Sequence, residues 1–231
     1  MPTDQNAQEK RTVTNPMSLA EHYLDQHGLI HSPGAVLYSS IDTLKSGPAY
    51  FMGLNPGGGD QETSTLADSI AASRKGNNAY LDEQWAPGGK LKPAGQAVLQ
   101  KRIKSVADLL GLNLRDVPAS NLAFTRSRRI GEHLGFEEAI RLCAPVHQIF
   151  LEAVRPQFLF TFGSIDHFRA GFELSEVEAI DAMHQSWKAY RGIAKLGNLT
   201  FQFGNVPHLS VWGGERKISV LKWALEKASR I

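Results

Sequence analysis

Short apolar runs alternate with stretches of helical periodicity along this chain, and that alternation most constrains its fold. Phe158–Phe162 is the clearest run. Gly163-Ser164 terminates it, which suits a central strand buried on both faces. Ala49–Leu54, Val117–Ala123 and Leu199–Val206 read as three further strands. Between them, Leu99, Ile103, Val106 and Leu110 recur at helical steps and end near Gly111. Phe136, Ile140 and Cys143 share another helical face, with Pro145 marking a kink or restart before Arg155-Pro156 stops the helix. Ile165–Gly171 reads as a short helix, and Ile218, Leu221, Leu225 and Ala228 mark the closing one. This grammar predicts an α/β protein: a three-layer α/β/α sandwich with a four-stranded, mainly parallel sheet.

The remaining segments are assigned around that frame. Met1 to Pro16 is polar and aperiodic and reads as a mobile tail, leaving 17–231 as one domain. Ser18–His27 reads as a helix capped by Ser18, with Glu21 at the capping-box position. The acidic stretch Glu173–Asp181 reads as a solvent-facing helix. From Pro56 to Pro93 runs a Gly/Ser/Asn/Asp-rich passage too long for a plain connector, with helical character around Thr65–Arg74.

Composition excludes several classes. The single Cys143 rules out an internal disulfide and any four-cysteine zinc or iron–sulfur site. The start of the chain has no basic–apolar–small-residue pattern, and no apolar run approaches about 18 residues, so a reduced, cytoplasmic protein without membrane contact is expected. Net charge is 25 − 23 = +2, too small to announce a nucleic-acid binder. Arg126, Arg128 and Arg129 stand out because they follow a strand instead of lying along a helix. His22, His27 and His31 lack a metal-ligand pattern, and no metal or other cofactor is expected.

Each strand ends in a polar cluster. The first runs into Met52-Gly53-Leu54-Asn55-Pro56-Gly57-Gly58-Gly59-Asp60, a loop whose backbone a ligand can approach closely. It is neither a nucleotide P-loop nor a dinucleotide fingerprint. Asn121, Thr125 and the arginines follow the second strand, Gly163-Ser164 the third, and His208 with Ser210 the fourth. In a parallel sheet these tips share one edge and make a site.

The ordered segments from Tyr50 to Leu225 resemble the uracil-DNA glycosylase superfamily. Gly53-Leu54-Asn55-Pro56-Gly57 is similar to the first motif of its mismatch-specific and single-strand-selective branches, G-x-N-P-G. Pro207-His208-Leu209-Ser210 resembles its second motif, usually His-Pro-Ser, with Leu209 in place of Pro. Ser120-Asn121-Leu122 with Arg126, Cys143-Ala144-Pro145, Arg155-Pro156-Gln157-Phe158, Phe162-Gly163 and Arg191-Gly192 look like intervening family segments. Ser210–Glu215 lacks the family's wedge-loop spelling, and the long loop after Asn55 has no clear counterpart.

The resemblance implies a glycosylase-like fold and a monomeric, metal-independent DNA glycosylase. Such an enzyme acts in base excision repair on single- or double-stranded DNA, flipping out uracil or a related base and hydrolysing its N-glycosidic bond. It implies that Asn55 positions the attacking water and His208 donates to the oxygen on which the departing base gathers negative charge. Gly53 and Leu54 would line the base pocket, Asn121 would read a base edge, and Tyr80 or Trp85 would stack on the extruded base. Pro56, Gly57, Gly58, Gly59, Ser210, Arg126, Arg128 and Arg129 would meet phosphates, and Trp212 would wedge into the vacated stack. Each residue also has a plainer role open to it: a turn cap for Asn55, a strand-end histidine for His208, a strand-end amide for Asn121. Two other classes stay open, a nucleic-acid- or nucleotide-binding module without catalysis and a hydrolase of small nucleosides or other esters.

Overall fold

The structure is a computed structural model that describes residues 15–58 and 62–230. Residues 1–14, which hold most of the expected tail, lie outside the described residues, as does Gly59. In chain order the helices and strands are α1 (Pro16–Gln26), β1 (Ala49–Gly53), α2 (Leu66–Arg74), α3 (Ala79–Asp82), α4 (Val98–Leu109), β2 (Ala119–Asn121) and α5 (Phe136–Val154). There follow β3 (Phe158–Phe162), α6 (Ile165–Gly171), β4 (Glu173–Asp181), β5 (Lys188–Leu196), β6 (Leu199–Val206) and α7 (Ile218–Leu225).

The sheet has six strands in the order β2-β1-β3-β6-β5-β4, not the four expected. The four predicted strands are all present and form its parallel half: β1 pairs with β2 and β3, and β3 pairs with β6. The two added strands form an antiparallel meander on β6. Glu173–Asp181 is therefore an edge strand and not a solvent-facing helix. Two things disguise it. Its solvent face carries the charges that protect an edge, and a bulge between Ser175 and Glu178, with Glu176 at φ 50°, interrupts the two-residue alternation.

Side chains alternate across the strands into two apolar clusters. Tyr50, Met52 and Leu159 join α1, α2, α5 and α6 on one face; Ala49, Phe51, Phe158, Phe160 and Phe162 join α4 and α7 on the other. Helices thus cover both faces of the sheet. The first helix begins earlier than its apolar pattern indicates. Asn15 caps it by accepting from Met17 N, with Pro16 in the first turn, so Ser18 is a helical residue and not the cap. Helix α5 runs through Pro145 without a break. Inside the long loop, Thr65 and Asp68 form the capping box of α2. No helix among the described residues is long and apolar enough to cross a membrane.

Candidate functional site at the strand tips

Because β1, β2, β3 and β6 are parallel neighbours, their C-terminal ends lie along one edge of the sheet. Gly53 is level with Asn121, and Phe162 with Val206, two residues before His208. The four predicted polar clusters are therefore brought together. Side chains close the arrangement. A Cβ on Gly53 would collide with Asn121 Oδ1 and stand 2.9 Å from Phe162 Cζ. The Phe162 and His208 rings meet edge to face, with centroids 5.5 Å apart. Leu54, buried, packs over Gly163, which at φ +127° has no room for a side chain.

Asn55 is held by its amide nitrogen. Nδ2 donates to Ser127 Oγ at 2.8 Å, to Pro56 O at 3.0 Å and, more weakly, to Ser127 O at 3.3 Å. Three oxygen neighbours fix which end of the amide is nitrogen. No described donor occupies Oδ1, which remains an acceptor. Asn55 is thus both a turn residue and a placed acceptor. Ser127, which its sequence neighbours did not mark, hands the restraint on by donating to Arg129 O at 3.0 Å.

Hydrogen bonding sets the His208 tautomer. The Ser210 backbone N–H, which can only donate, points at Nδ1 from 3.3 Å, and Ser210 Oγ lies 2.7 Å from the same nitrogen. Nδ1 is therefore an acceptor, and the ring proton of the neutral imidazole sits on Nε2. Burial pushes the His208 pKa down to about 4, so the ring stays neutral at physiological pH. His208 is a neutral N–H donor. The Ser210 hydroxyl, assigned above to phosphate, is engaged with this ring.

Asn121 is 4% exposed, and its Nδ2 is buried without a well-aligned hydrogen bond among the described residues, its polar neighbour being the Tyr38 phenol. A buried amide donor left wholly unmet costs about 1–3 kcal/mol; the weak Tyr38 contact relieves part of that cost, and a ligand acceptor would relieve the rest. Tyr38 lies beside it: burial raises the phenol pKa to about 12, and the Arg126 charge and then the Asn121 amide, donating to the phenol oxygen, partly offset that rise. Tyr38 comes from the irregular segment before β1, where no motif marks it. It stacks on Tyr80 at 5.3 Å and meets Trp85 edge-on at 6.1 Å.

The remaining expected residues fall into place differently. Tyr80 is buried, and the half-buried Trp85 donates from Nε1 to Glu83, so the loop aromatics form a packed wall and not a free stacking platform. Trp212 is 1% exposed and donates from Nε1 to Ala182 O at 2.8 Å; it anchors the loop in the core and cannot wedge outward. Its neighbour Val211, 61% exposed, is the apolar side chain that faces solvent. Arg126 turns in to donate to Gly57 O, and its Nε is buried without a partner. Arg128 and Arg129 are exposed, the latter 3.9 Å from Glu132. Gly57 and Gly58 are exposed beside them, with the Arg126 guanidinium packed against Gly58. Among the described residues, no group of three or more His, Cys, Asp or Glu is placed to hold a metal ion.

A second histidine ties this edge to stability. His147 on α5 lies behind Asn121, its Nε2 3.0 Å from Leu122 O, and burial lowers its pKa to about 4. Below about pH 6.5 an unfolded chain takes up protons at His147 and His208 that the folded chain refuses until about pH 4. Stability should therefore fall as pH drops from 6.5 towards 4. Urea midpoints at pH 7, 6, 5 and 4 check this, and a His147→Gln variant should show a shallower decline.

No protein-family model matches the chain, and no curated protein matches it significantly.

Proposed function

We propose that this chain is a DNA glycosylase of the uracil-DNA glycosylase type. It takes an extruded uracil or related base into the strand-tip site and hydrolyses the N-glycosidic bond. The observation that carries this reading is the pairing of two donors, the buried Asn121 Nδ2, met only by a poorly aligned contact with the Tyr38 phenol, and the neutral His208 Nε2–H, on one sheet edge with the Asn55 acceptor. Two donors suit a base presenting carbonyl oxygens. His208 stabilises the negative charge that one of them gathers as the bond breaks, and Asn55 Oδ1 orients water towards the cationic sugar. No metal is invoked. Val211, not Trp212, takes the part of the residue that fills the vacated stack.

The test is an abasic-site assay: oligonucleotides carrying uracil, hypoxanthine or a mismatch, single- and double-stranded, are incubated with the protein and then treated with alkali. Strand breaks at the target base support the reading. Binding without breaks on every substrate favours a non-catalytic binding module, a reading encouraged by the inward turn of Arg126 and by Leu209 in the second motif. Activity on free nucleosides alone favours a small-substrate hydrolase.

DNA contact has a separate expected signature. Arg128 and Arg129 are the exposed members of the arginine cluster. Replacing both with Ala should reduce the salt dependence of DNA affinity by up to about two phosphate contacts. Adding Arg126→Ala should change the slope little further, because that guanidinium is committed to Gly57 O. Affinity measured across a salt series checks both; an unchanged slope would return the pair to ordinary solvated surface.

A further inference from the structure

The loop that carries His208 is short, and several of its backbone torsions are weakly restrained by their residue types. Leu209 leaves φ free where a proline would restrain it, and Gly213 and Gly214 follow at φ +136° and +94°. Yet the His208 tautomer depends on Ser210 staying where it is. Buried Leu209 and Trp212 and the Val211 and Trp212 N–H groups bonded to His208 O give the loop its local anchor; a further restraint comes from a residue more than a hundred positions away. Arg102 on α4 donates from Nη1 to Leu209 O at 2.6 Å and to Trp212 O at 3.0 Å. These carbonyls flank Ser210 and Val211. No described carboxylate forms an ion pair with Arg102, so this half-buried cation is spent on the loop backbone alone. Gly213 lies against the same side chain: a Cβ there would stand 3.0 Å from both Cδ and Nε of Arg102.

The same helix holds the opposite wall. Gln100, fully buried, donates from Nε2 to Ala79 O at 2.8 Å and to Glu83 O at 2.9 Å, while its Oε1 accepts from Ala97 N. Ala79 and Glu83 bracket the segment carrying Tyr80, which stacks on Tyr38 beside Asn121. Residues 100 and 102 of one helix therefore tie down the loop behind the Asn121 donor and the loop bearing the His208 donor.

We propose that Arg102 is a positioning residue of the strand-tip site, clamping the 208–213 loop so that Ser210 holds His208 as an Nε2–H donor, with Gln100 bracing the facing wall. This rests on the reading of His208 as the donor to the departing base, and the clamp also has a signature independent of catalysis. A planar guanidinium suits the task because one rigid nitrogen meets two diverging carbonyls with little further loss of freedom.

The experiment compares wild type with Arg102→Met, Arg102→Lys and Gly213→Ala by long-range 1H–15N NMR of the histidine rings and by single-turnover base release. Methionine keeps the apolar packing and removes the donors; lysine keeps the charge on a shorter reach. Wild type should show the resolved Nε2–H pattern for His208. Arg102→Met and Gly213→Ala should shift it towards a mixture of tautomers, and turnover should fall roughly 10- to 10²-fold with DNA affinity within about twofold, as displacement of a reacting group costs rate and not binding. Arg102→Lys should recover part of both signals. A protein carrying both Arg102→Met and Gly213→Ala should lose little more than Arg102→Met alone, since both act on one clamp. A folded Arg102→Met protein with the wild-type His208 pattern and turnover would overturn the clamp. Should wild type release no base from any substrate, the glycosylase reading fails, and the tautomer signal decides the clamp by itself.

Discussion

Replacing His208 with alanine is expected to lower single-turnover base release by about 10²-fold or more, with DNA affinity nearly unchanged. The neutral ring donates to an oxygen whose negative charge is complete only late in bond cleavage, so its removal weakens the transition state far more than the bound substrate. Because burial holds the His208 pKa near 4, the donor does not titrate near neutrality, and the rate should show no acid limb from this residue above about pH 5. An acid limb near pH 6.5 that vanishes in His208→Ala would contradict the neutral-donor role. Asn55→Asp is the companion experiment. Asn55 Nδ2 currently feeds Ser127 and Pro56, and an aspartate has no hydrogens for them. Its carboxylate, however, can take a proton from water and attract the cationic sugar. Activity should survive or rise if the site is catalytic, while stability falls because Pro56 O and Ser127 lose a donor. Wild-type rates in both Asn55→Asp and His208→Ala would place the chemistry elsewhere.

Gly53→Ala is expected to be nearly as damaging, for a steric reason. The added methyl would overlap Asn121 Oδ1 and press on Phe162 Cζ at 2.9 Å. Both neighbours are buried, and Gly53 is paired with Asn121 in the sheet, so neither side can yield without disturbing β1 or β2. Overpacking of this kind costs about 1–3 kcal/mol of stability. Its functional cost should be larger, since the displaced group is the amide whose Nδ2 is proposed to donate to the base. Base release should fall by more than about 10-fold at a temperature where circular dichroism shows the variant fully folded. Turnover equal to wild type in such a folded variant would mean that the placement of Asn121 does not matter. Gly131→Ala serves as the control: a Cβ there meets nothing within 4 Å and its φ is not in the left-handed region, so neither stability nor rate should change much.

Local signals made the parallel half of the fold legible. Apolar runs such as Phe158–Phe162 read as strands because they are short, rich in aromatics and closed by glycine, and this one is followed by a short helical segment. That alternation alone orients Asn55, Asn121 and His208 to a common edge, whatever the side chains between them do. The meander was not legible. Leu174, Val177 and Ile180 recur every third residue, which mimics a helix, because the bulge at Ser175–Glu178 shifts the strand's inward positions.

What the sequence by itself determined is the order of the four parallel strands with the main helices between them, and the gathering of polar residues at the strand tips. Both follow from periodicity and turn chemistry within a few residues. What only the tertiary structure decided is the state of those residues. Trp212 is an inward anchor because Ala182 O, on a hairpin thirty residues earlier, accepts its proton. Arg126 faces Gly57 instead of solvent, and Arg102 reaches a loop over a hundred residues away. The tautomer of His208 depends on that loop's conformation. Burial and hydrogen-bond satisfaction are properties of groups remote in sequence, and no local pattern encodes which distant carbonyl a given donor will meet.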